Sequence, residues 1–87
     1  MSEPYGQILI VDDVQFNLLT LQSLLRRYSL KVDLAHDGQE AIDKVREKYE
    51  NSDNLYKIIF MDIQMPIKDG FQATREIRKY LTENNLQ

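Results

Sequence analysis

Three short runs of apolar residues have the composition of β-strands. Residues 7–11 (QILIV) and 56–61 (YKIIFM) are largely apolar, whereas residues 31–35 (KVDLA) alternate polar and apolar positions. Short apolar runs are typical of strands covered on both faces, and alternation is typical of a strand with one wetter face. The pattern therefore predicts three strands, of which the third is the most apolar.

Apolar residues recur at helical spacing after each run. In residues 16–28 they recur every three or four positions, which predicts an amphipathic helix. Its apolar face is formed by Leu18, Leu21, Leu25 and Tyr28. Asp37 and Glu40 have the spacing of an N-cap and its capping-box partner, so a second helix is predicted to follow Asp37. The polar stretch 50–54 is predicted to be a loop.

The second and third helices carry apolar stripes as well. In the second helix the stripe consists of Ala41, Ile42, Val45 and Tyr49. The third helix is predicted from about residue 71 to 80 or 81, with Ala73, Ile77, Tyr80 and Leu81 on one face. Strands and helices thus alternate, which predicts an α/β domain with a parallel sheet, right-handed crossovers and helices on both faces.

Acidic residues stand where the first and third predicted strands end. Asp12 and Asp13 follow the first strand, and Asp62 follows the third. Ligands of open α/β sheets bind outside the carboxyl ends of the strands, so the topology brings these carboxylates to one rim. Carboxylates held together repel unless a cation lies between them, and oxygen ligands suit Mg²⁺. A carboxylate can also act as a nucleophile and form an aspartyl phosphate.

Composition narrows the classes of protein that fit. With 43% hydrophobic and 29% charged residues in 87 positions, the chain is expected to be one small globular domain located in the cytoplasm. No apolar run is long enough to predict a membrane span. The net charge of −3 disfavours direct nucleic-acid binding. The chain has no cysteine, so any metal is expected to have oxygen ligands, as Mg²⁺ does.

Three motifs carry a resemblance to a known family: VDD at 11–13, DGQEA at 37–41 and IIFMDIQMPIKDG at 58–70. Together they resemble the receiver domain of two-component response regulators and hybrid sensor kinases. The pattern D-x-x-M-P-x-x-D-G is met in full by Asp62, Met65, Pro66, Asp69 and Gly70. The resemblance covers nearly the whole chain. It implies a flavodoxin-like fold, a role in a phosphorelay, and a histidine kinase or phosphotransfer protein as partner.

The resemblance also implies roles for individual residues. Asp62 is expected to accept the phosphoryl group, Asp13 to bind Mg²⁺ directly, and Asp12 to bind it directly or through water. The backbone carbonyl of Gln64 is expected to complete the protein's ligands. The site loop is expected to be shaped by Met65, Pro66, Asp69 and Gly70, with the glycine supplying backbone freedom before the third helix and Asp69 acting as a turn residue.

The sequence departs from the family pattern after the third helix. A complete receiver has five strands in the order 2-1-3-4-5, and residues 1–87 provide three, so the chain is expected to be an incomplete receiver domain. The family's Ser or Thr after strand four and Lys after strand five have no counterpart here. The third strand would then be an exposed sheet edge, which predicts dimerisation through this edge or domain swapping.

Several other interpretations compete with the metal site. Asp12 and Asp13 could form the N-cap of the first helix. His36 invites a phosphohistidine interpretation, although a solvated loop histidine fits its predicted position better. A calcium loop around Asp37 is rejected because Ala35 and Lys44 stand where oxygen ligands are needed.

Two further function classes remain to be compared with the receiver interpretation. A haloacid-dehalogenase-like phosphatase would need an acidic residue where this chain has Gln64, so that class fits poorly. The stronger alternative is an interaction module that docks a kinase, or pairs with strands of a partner chain, without being phosphorylated. The sequence leaves this alternative open.

Overall fold

The computed structural model describes residues 5–62 and 68–84 of the chain. Strands and helices alternate in the predicted order: β1 Ile8–Val11, α1 Gln15–Arg26, β2 Val32–Ala35, α2 Gly38–Ser52, β3 Ile58–Met61 and α3 Gly70–Glu83. Each predicted element is therefore present. Each strand begins one or two residues later than predicted and ends at the predicted residue.

The strands form one parallel sheet in the order β2-β1-β3. The register pairs Ile10 of β1 with Leu34 on one side and with Phe60 on the other. Placing β1 in the middle brings the ends of β1 and β3 next to each other, although a whole helix-strand-helix segment separates them in sequence. The predicted fold class is thereby confirmed.

Helices cover both faces of the sheet. On one face, Ile8 and Ile10 of β1 pack with the fully buried Leu18 of α1. On the other face, Leu9 and Val11 pack with buried residues of α2 and α3: Ala41, Ile42, Val45, Ala73 and Ile77. Alternate residues of β1 thus serve two cores, and burial of each large side chain contributes about 1.5–3 kcal/mol.

Among the described residues, β3 pairs with β1 alone and forms one edge of the sheet. Ile58 and Phe60 are 50% and 44% exposed, whereas Ile59 and Met61 pack against the core formed with α2 and α3. The described residues therefore leave some of the apolar side chains of β3 uncovered, as expected for a strand at an exposed sheet edge.

Two helix predictions need correction. The spacing predicts Tyr28 on the apolar face of α1, but this residue is 70% exposed, because α1 ends at Arg26 and the helical periodicity stops there. The polar composition of residues 50–54 predicts a loop, yet α2 continues to Ser52 and ends where Asp53 adopts a left-handed conformation with φ 59°. Polar residues on the outer side of a helix do not end it when glycine and proline are absent.

A polar network joins the elements at the amino ends of the strands. Lys48 of α2 is only 1% exposed, and its Nζ donates a hydrogen bond to the carbonyl oxygen of Gly6 at 3.0 Å. Asp33 accepts hydrogen bonds from the Gly6 amide at 2.9 Å and from the Tyr56 hydroxyl at 2.6 Å. The Lys48 ammonium also lies 5.1 Å from the centre of the Tyr56 ring. This network fixes the start of β1 against α2 and β2.

None of the helices in residues 5–62 and 68–84 combines the length and the apolar character that crossing a bilayer requires.

Candidate functional site

The predicted rim of carboxylates lies at the carboxyl ends of β1 and β3. The Asp12 amide donates to the carbonyl oxygen of Ala35 at 3.1 Å, and the Asp62 amide donates to that of Val11 at 2.9 Å. These bonds continue the sheet ladder one residue beyond the strands. Asp12 and Asp62 are therefore held in line by the same backbone pairing that builds the sheet.

Three carboxylates meet at this rim. One oxygen each from Asp12, Asp13 and Asp62 lies within 4.8 Å of the other two. Asp13 is exposed, whereas Asp12 and Asp62 are partly buried. The structure thus brings together the three acidic residues that topology alone predicted to be neighbours.

The side chain of Asp12 is oriented by local hydrogen bonds. Its Oδ1 accepts from the Val14 amide at 2.9 Å, and its Oδ2 accepts from Nδ2 of Asn17 at 3.2 Å. The alternative in which Asp12 or Asp13 caps α1 is wrong, because the N-cap is Val14 and it makes no side-chain cap. The sequence patterns above do not include Asn17 in the site. Its position in the first turn of the helix that follows the acidic pair is the signal that could have predicted its contact with Asp12.

The electrostatics of the cluster favour a hard cation. Two unit charges about 4.8 Å apart repel by roughly 1 kcal/mol in a water-like surrounding and by more where the dielectric constant is lower. The donor set consists of carboxylate oxygens, which suits Mg²⁺ and leaves coordination positions for water and phosphate. An exposed member, Asp13, gives the cluster access to solvent. The residues present therefore fit the expected ion.

A groove extends from the rim between α1 and β3. It has a volume of about 290 Å³, with Asp12 and Asp62 at one end and Leu21 and Phe60 among its walls. Exposed apolar side chains also occur at the start of α1 and just before it. There Phe16 is 75% exposed, and Val14 and Leu19 are each 46% exposed. A partner that approaches the carboxylates from the side of α1 would meet these side chains.

After Asp62 the structure describes the chain again from Lys68 onwards. Gln64, Met65 and Pro66, expected to bind the metal or shape the loop, lie outside the described residues. Asp69 is the N-cap of α3, and its side chain accepts from the Gln72 amide at 2.8 Å. Gly70 is the first residue of α3. No glycine among the described residues has a positive φ, so Gly70 does not adopt the left-handed conformation. Its part in shaping the site loop stays a prediction.

His36 is an exposed residue beside the rim, in agreement with its interpretation as a solvated loop histidine. Its ring nitrogens lie 3.3 Å from Glu40 Oε1 and 2.9 Å from Gln15 Oε1. The N-cap assigned to Asp37 is confirmed by its hydrogen bond from the Glu40 amide at 2.8 Å. The Glu40 carboxylate, predicted to complete a capping box, instead contacts the imidazole.

Comparison with known sequences assigns this arrangement to a family. The model described as the response regulator receiver domain matches residues 8–85. The chain is 44% identical over 77 residues to hybrid signal transduction histidine kinase E of Dictyostelium discoideum and 42% identical over 81 residues to the osmosensing histidine protein kinase SLN1 of Saccharomyces cerevisiae. These matches cover 88% and 92% of this chain but only 4% and 7% of the two kinases.

Solved structures give the same result. The receiver domain of Ssk1 from Saccharomyces cerevisiae, crystallised with the histidine phosphotransfer protein Ypd1, matches with a TM-score of 0.81 and 33% identity, over 98% of this chain and 55% of that one. The Mg²⁺ complex of the CKI1 histidine kinase receiver domain from Arabidopsis thaliana matches with a TM-score of 0.80 and 33% identity, over 94% and 62%. The chain therefore belongs to the response regulator receiver domain family of two-component signal transduction.

Proposed function

We propose that Asp62 accepts a phosphoryl group from a phosphohistidine carried by a histidine kinase or a histidine phosphotransfer protein. A carboxylate oxygen of Asp62 forms the new P–O bond while the P–N bond of the phosphohistidine breaks. The electron pair of that bond stays with the imidazole, which is protonated on its other nitrogen and leaves as neutral histidine. The products are an aspartyl phosphate on this chain and a free histidine on the donor.

The observation that carries this proposal is the meeting of Asp12, Asp13 and Asp62 within 4.8 Å at one rim. A strand-ending turn would explain Asp62 alone, and local hydrogen bonding would explain Asp12 alone. Neither explains why the structure concentrates like charges at a solvent-accessible point. A site that binds a cation and receives a phosphoryl group does explain it.

In this proposal Asp13 binds Mg²⁺ directly, and Asp62 and Asp12 are the other carboxylates that hold the ion. The backbone carbonyl of Gln64 is a further expected ligand. Both oxygens of Asp12 already accept hydrogen bonds from Val14 and Asn17, which supports binding through water for this residue. When bound, Mg²⁺ would neutralise charge on the transferring group and align it for attack. The protein's own part is to hold the Asp62 carboxylate in line with β3.

The partner proposed is a protein that presents its histidine from the side of α1. Val14 and Phe16 follow the acidic pair closely in sequence, and their side chains, like that of Leu19, are exposed. Exposed apolar side chains near the site suit a protein partner better than a small phosphodonor. The Ssk1 receiver domain was crystallised with a histidine phosphotransfer protein, which supports a partner of that class here. A cytoplasmic location is part of the same proposal.

Intact mass spectrometry tests the proposal. The 87-residue chain is incubated with Mg²⁺ and acetyl phosphate, beside Asp62→Asn and beside Asp43→Asn, which removes an exposed carboxylate of α2. A single phosphoryl adduct is expected on the unmutated chain and on Asp43→Asn but not on Asp62→Asn. An adduct on Asp62→Asn, or no adduct on an unmutated chain that circular dichroism finds folded, would contradict the proposal.

The exposed edge of β3 supports one alternative, an interaction module that pairs with a partner without being phosphorylated. Its exposed Ile58 and Phe60 side chains are features of a strand that accepts another strand, as is its pairing with β1 alone among the described residues. The same mass measurement separates the two candidates. A folded chain that forms no adduct would leave the interaction module as the better account.

A further inference from the structure

Asn17 lies in the first turn of α1 and donates a hydrogen bond to the carboxylate cluster. Its Nδ2 lies 3.2 Å from Oδ2 of Asp12, whose other oxygen, Oδ1, accepts from the Val14 amide at 2.9 Å. Asn17 also lines the groove that has Asp12 and Asp62 at one end. The Asn17 carboxamide therefore contacts the site directly.

The position of this donor is fixed by the backbone around it. The amides of Asn17 and Leu18 both donate to the carbonyl oxygen of Val14, at 3.0 Å and 3.3 Å. Leu18 is fully buried and packs with Ile8 and Ile10 of β1. The first turn of α1 is thus attached to the sheet next to Asn17, whereas Asn17 itself is exposed. Its carboxamide can therefore be replaced without a change in the core.

Two hydrogen bonds restrain the carboxylate of Asp12. An ionised carboxylate has about four positions at which it accepts a hydrogen bond or binds a cation. Val14 and Asn17 each occupy one of them, on different oxygens. Rotation about the Cβ–Cγ bond of Asp12 would lengthen both bonds. Asn17 therefore lowers the capacity of Asp12 to offer both of its oxygens to one ion.

Divalent cations differ in the number of protein oxygens that they need. Ca²⁺ takes about six to eight oxygen ligands in a flexible geometry and accepts both oxygens of a carboxylate, whereas Mg²⁺ is smaller and keeps several of its waters. A cluster in which one carboxylate is already engaged by the protein suits Mg²⁺. Release of that carboxylate would add oxygen ligands and would favour Ca²⁺.

We propose that Asn17 is a positioning residue that sets the selectivity of the cluster for Mg²⁺ over Ca²⁺. It acts through Asp12, whose carboxylate it holds so that direct binding of the ion falls to Asp13 and Asp62. Asn17 carries no charge, so it restrains Asp12 without changing the net charge of the cluster. This inference rests on the Mg²⁺ site of the proposed function and extends it to the choice of metal.

Titrations of the ¹⁵N-labelled 87-residue chain with Mg²⁺ and, separately, with Ca²⁺ test the proposal, because shifts of the amide resonances give both dissociation constants. Asn17→Leu keeps the approximate size of the side chain and removes the donor. The net contribution of one hydrogen bond corresponds to roughly a two- to tenfold change in an equilibrium constant. Asn17→Leu is therefore expected to lower the ratio of the Ca²⁺ to the Mg²⁺ dissociation constant by roughly two- to tenfold.

Two further variants serve as controls. Asn51→Leu removes a matched carboxamide, which is also exposed and donates to the Tyr5 hydroxyl at 2.8 Å, and it should leave the ratio unchanged. Asp12→Asn tests whether Asn17 acts through the Asp12 carboxylate. Addition of Asn17→Leu to Asp12→Asn should then cause no further change in the ratio, since the two residues act as one unit.

The outcomes separate this inference from the proposed phosphorylation. An unchanged ratio in Asn17→Leu, an equal change in Asn51→Leu, or the same change in the Asp12→Asn background would overturn the selectivity role. Failure of the unmutated chain to bind either ion would overturn it as well. Phosphorylation of Asp62 is decided independently of these results, by the adduct in the mass spectrum.

A measurement on the unmutated chain covers the case in which Asn17→Leu does not fold. Mg²⁺ should shift the side-chain amide resonances of Asn17 and leave those of Asn51 in place. Asn17 resonances that stay unmoved while Mg²⁺ saturates the site would reject the role.

Discussion

Asp13 is the exposed member of the carboxylate cluster, and its proposed role leads to a measurement on stability. Folding brings the three carboxylates together, and unfolding separates them, so Mg²⁺ should bind the folded chain in preference. At ten times its dissociation constant the ion would stabilise the fold by about 1.4 kcal/mol, or roughly 6–11 °C in melting temperature. Asp13→Asn should abolish most of this gain.

Thermal melts with and without Mg²⁺ measure the effect by circular dichroism. Asp43→Asn is again the control, because it removes one exposed negative charge from α2 without touching the rim. The control should keep the full gain. An equal gain in Asp13→Asn would exclude this residue as a ligand.

Tyr56 provides a second measurement at the residue scale. Burial of the phenol, together with its hydrogen bond to Asp33, raises the pKa of Tyr56 well above its ordinary value. The folded chain therefore keeps the proton at a pH where the unfolded chain releases it. The contribution of Tyr56 to stability is complete below pH about 10 and is lost as the pH rises towards the folded pKa, by at most about 1.4 kcal/mol per pH unit.

Urea unfolding of the unmutated chain and of Tyr56→Phe at pH 8 and at pH 11 tests this. The free energy of unfolding should fall less with pH in Tyr56→Phe, since that variant has no phenol to ionise at this position. Tyr28→Phe, at a residue 70% exposed, should behave as the unmutated chain does. Identical pH dependence in all three proteins would contradict the assignment.

At the same scale, the acidic residues of the site could be predicted from sequence and its supporting residues could not. Asp12, Asp13 and Asp62 follow apolar runs, and parallel topology then brings them together. Lys48 falls at the helical spacing of the buried face of α2, after Ala41 and Val45, although lysine is almost never fully buried unless it is paired. Its burial depends on the Gly6 carbonyl and two tyrosine rings, contacts that no local pattern encodes.

At the scale of elements, periodicity located every helix and strand but set the ends less well. The end of α1 depends on the chain turning at Arg27 to Ser29, where Ser29 adopts a positive φ of 59°. The end of α2 depends on Asp53 in the same region. Neither position is a glycine, so the sequence gives no signal for either helix end. Asp37, an ordinary N-cap residue, marks the start of α2. Asp69 is predicted to be a turn residue, but it is the N-cap of α3.

The edge strand β3 carries a prediction of its own. Ile58 and Phe60 are exposed, and within the part of the chain that the structure describes β3 pairs on one side only, which favours pairing with another chain. We expect the 87-residue chain to self-associate as its concentration rises, and Phe60→Lys to weaken association by placing a charge on the edge. Sedimentation at several concentrations measures this.

Phe16→Lys is the matched variant for that experiment, because Phe16 is an exposed phenylalanine on α1 rather than on the sheet edge. It should associate as the unmutated chain does. A chain that stays monomeric and melts cooperatively at micromolar concentration would contradict pairing through β3.

At the scale of the whole molecule, the two ends of the sheet carry different kinds of side chain. The carboxyl ends of β1 and β3 carry the carboxylates, and the amino ends carry the network of Lys48, Asp33 and Tyr56. Substitutions in the network should therefore change stability more than reactivity, whereas substitutions at the rim should do the reverse.

This separation also decides how the protein can be attached to a surface. Gly6 and Asp12 are separated by six residues of extended chain, roughly 20 Å, and Tyr5 lies at the end remote from Asp62. A dye or a tether attached at Tyr5 would start at the end of the sheet opposite to the rim. Single molecules immobilised in this way would keep their reactive face open, so the arrival of a donor protein could be watched directly.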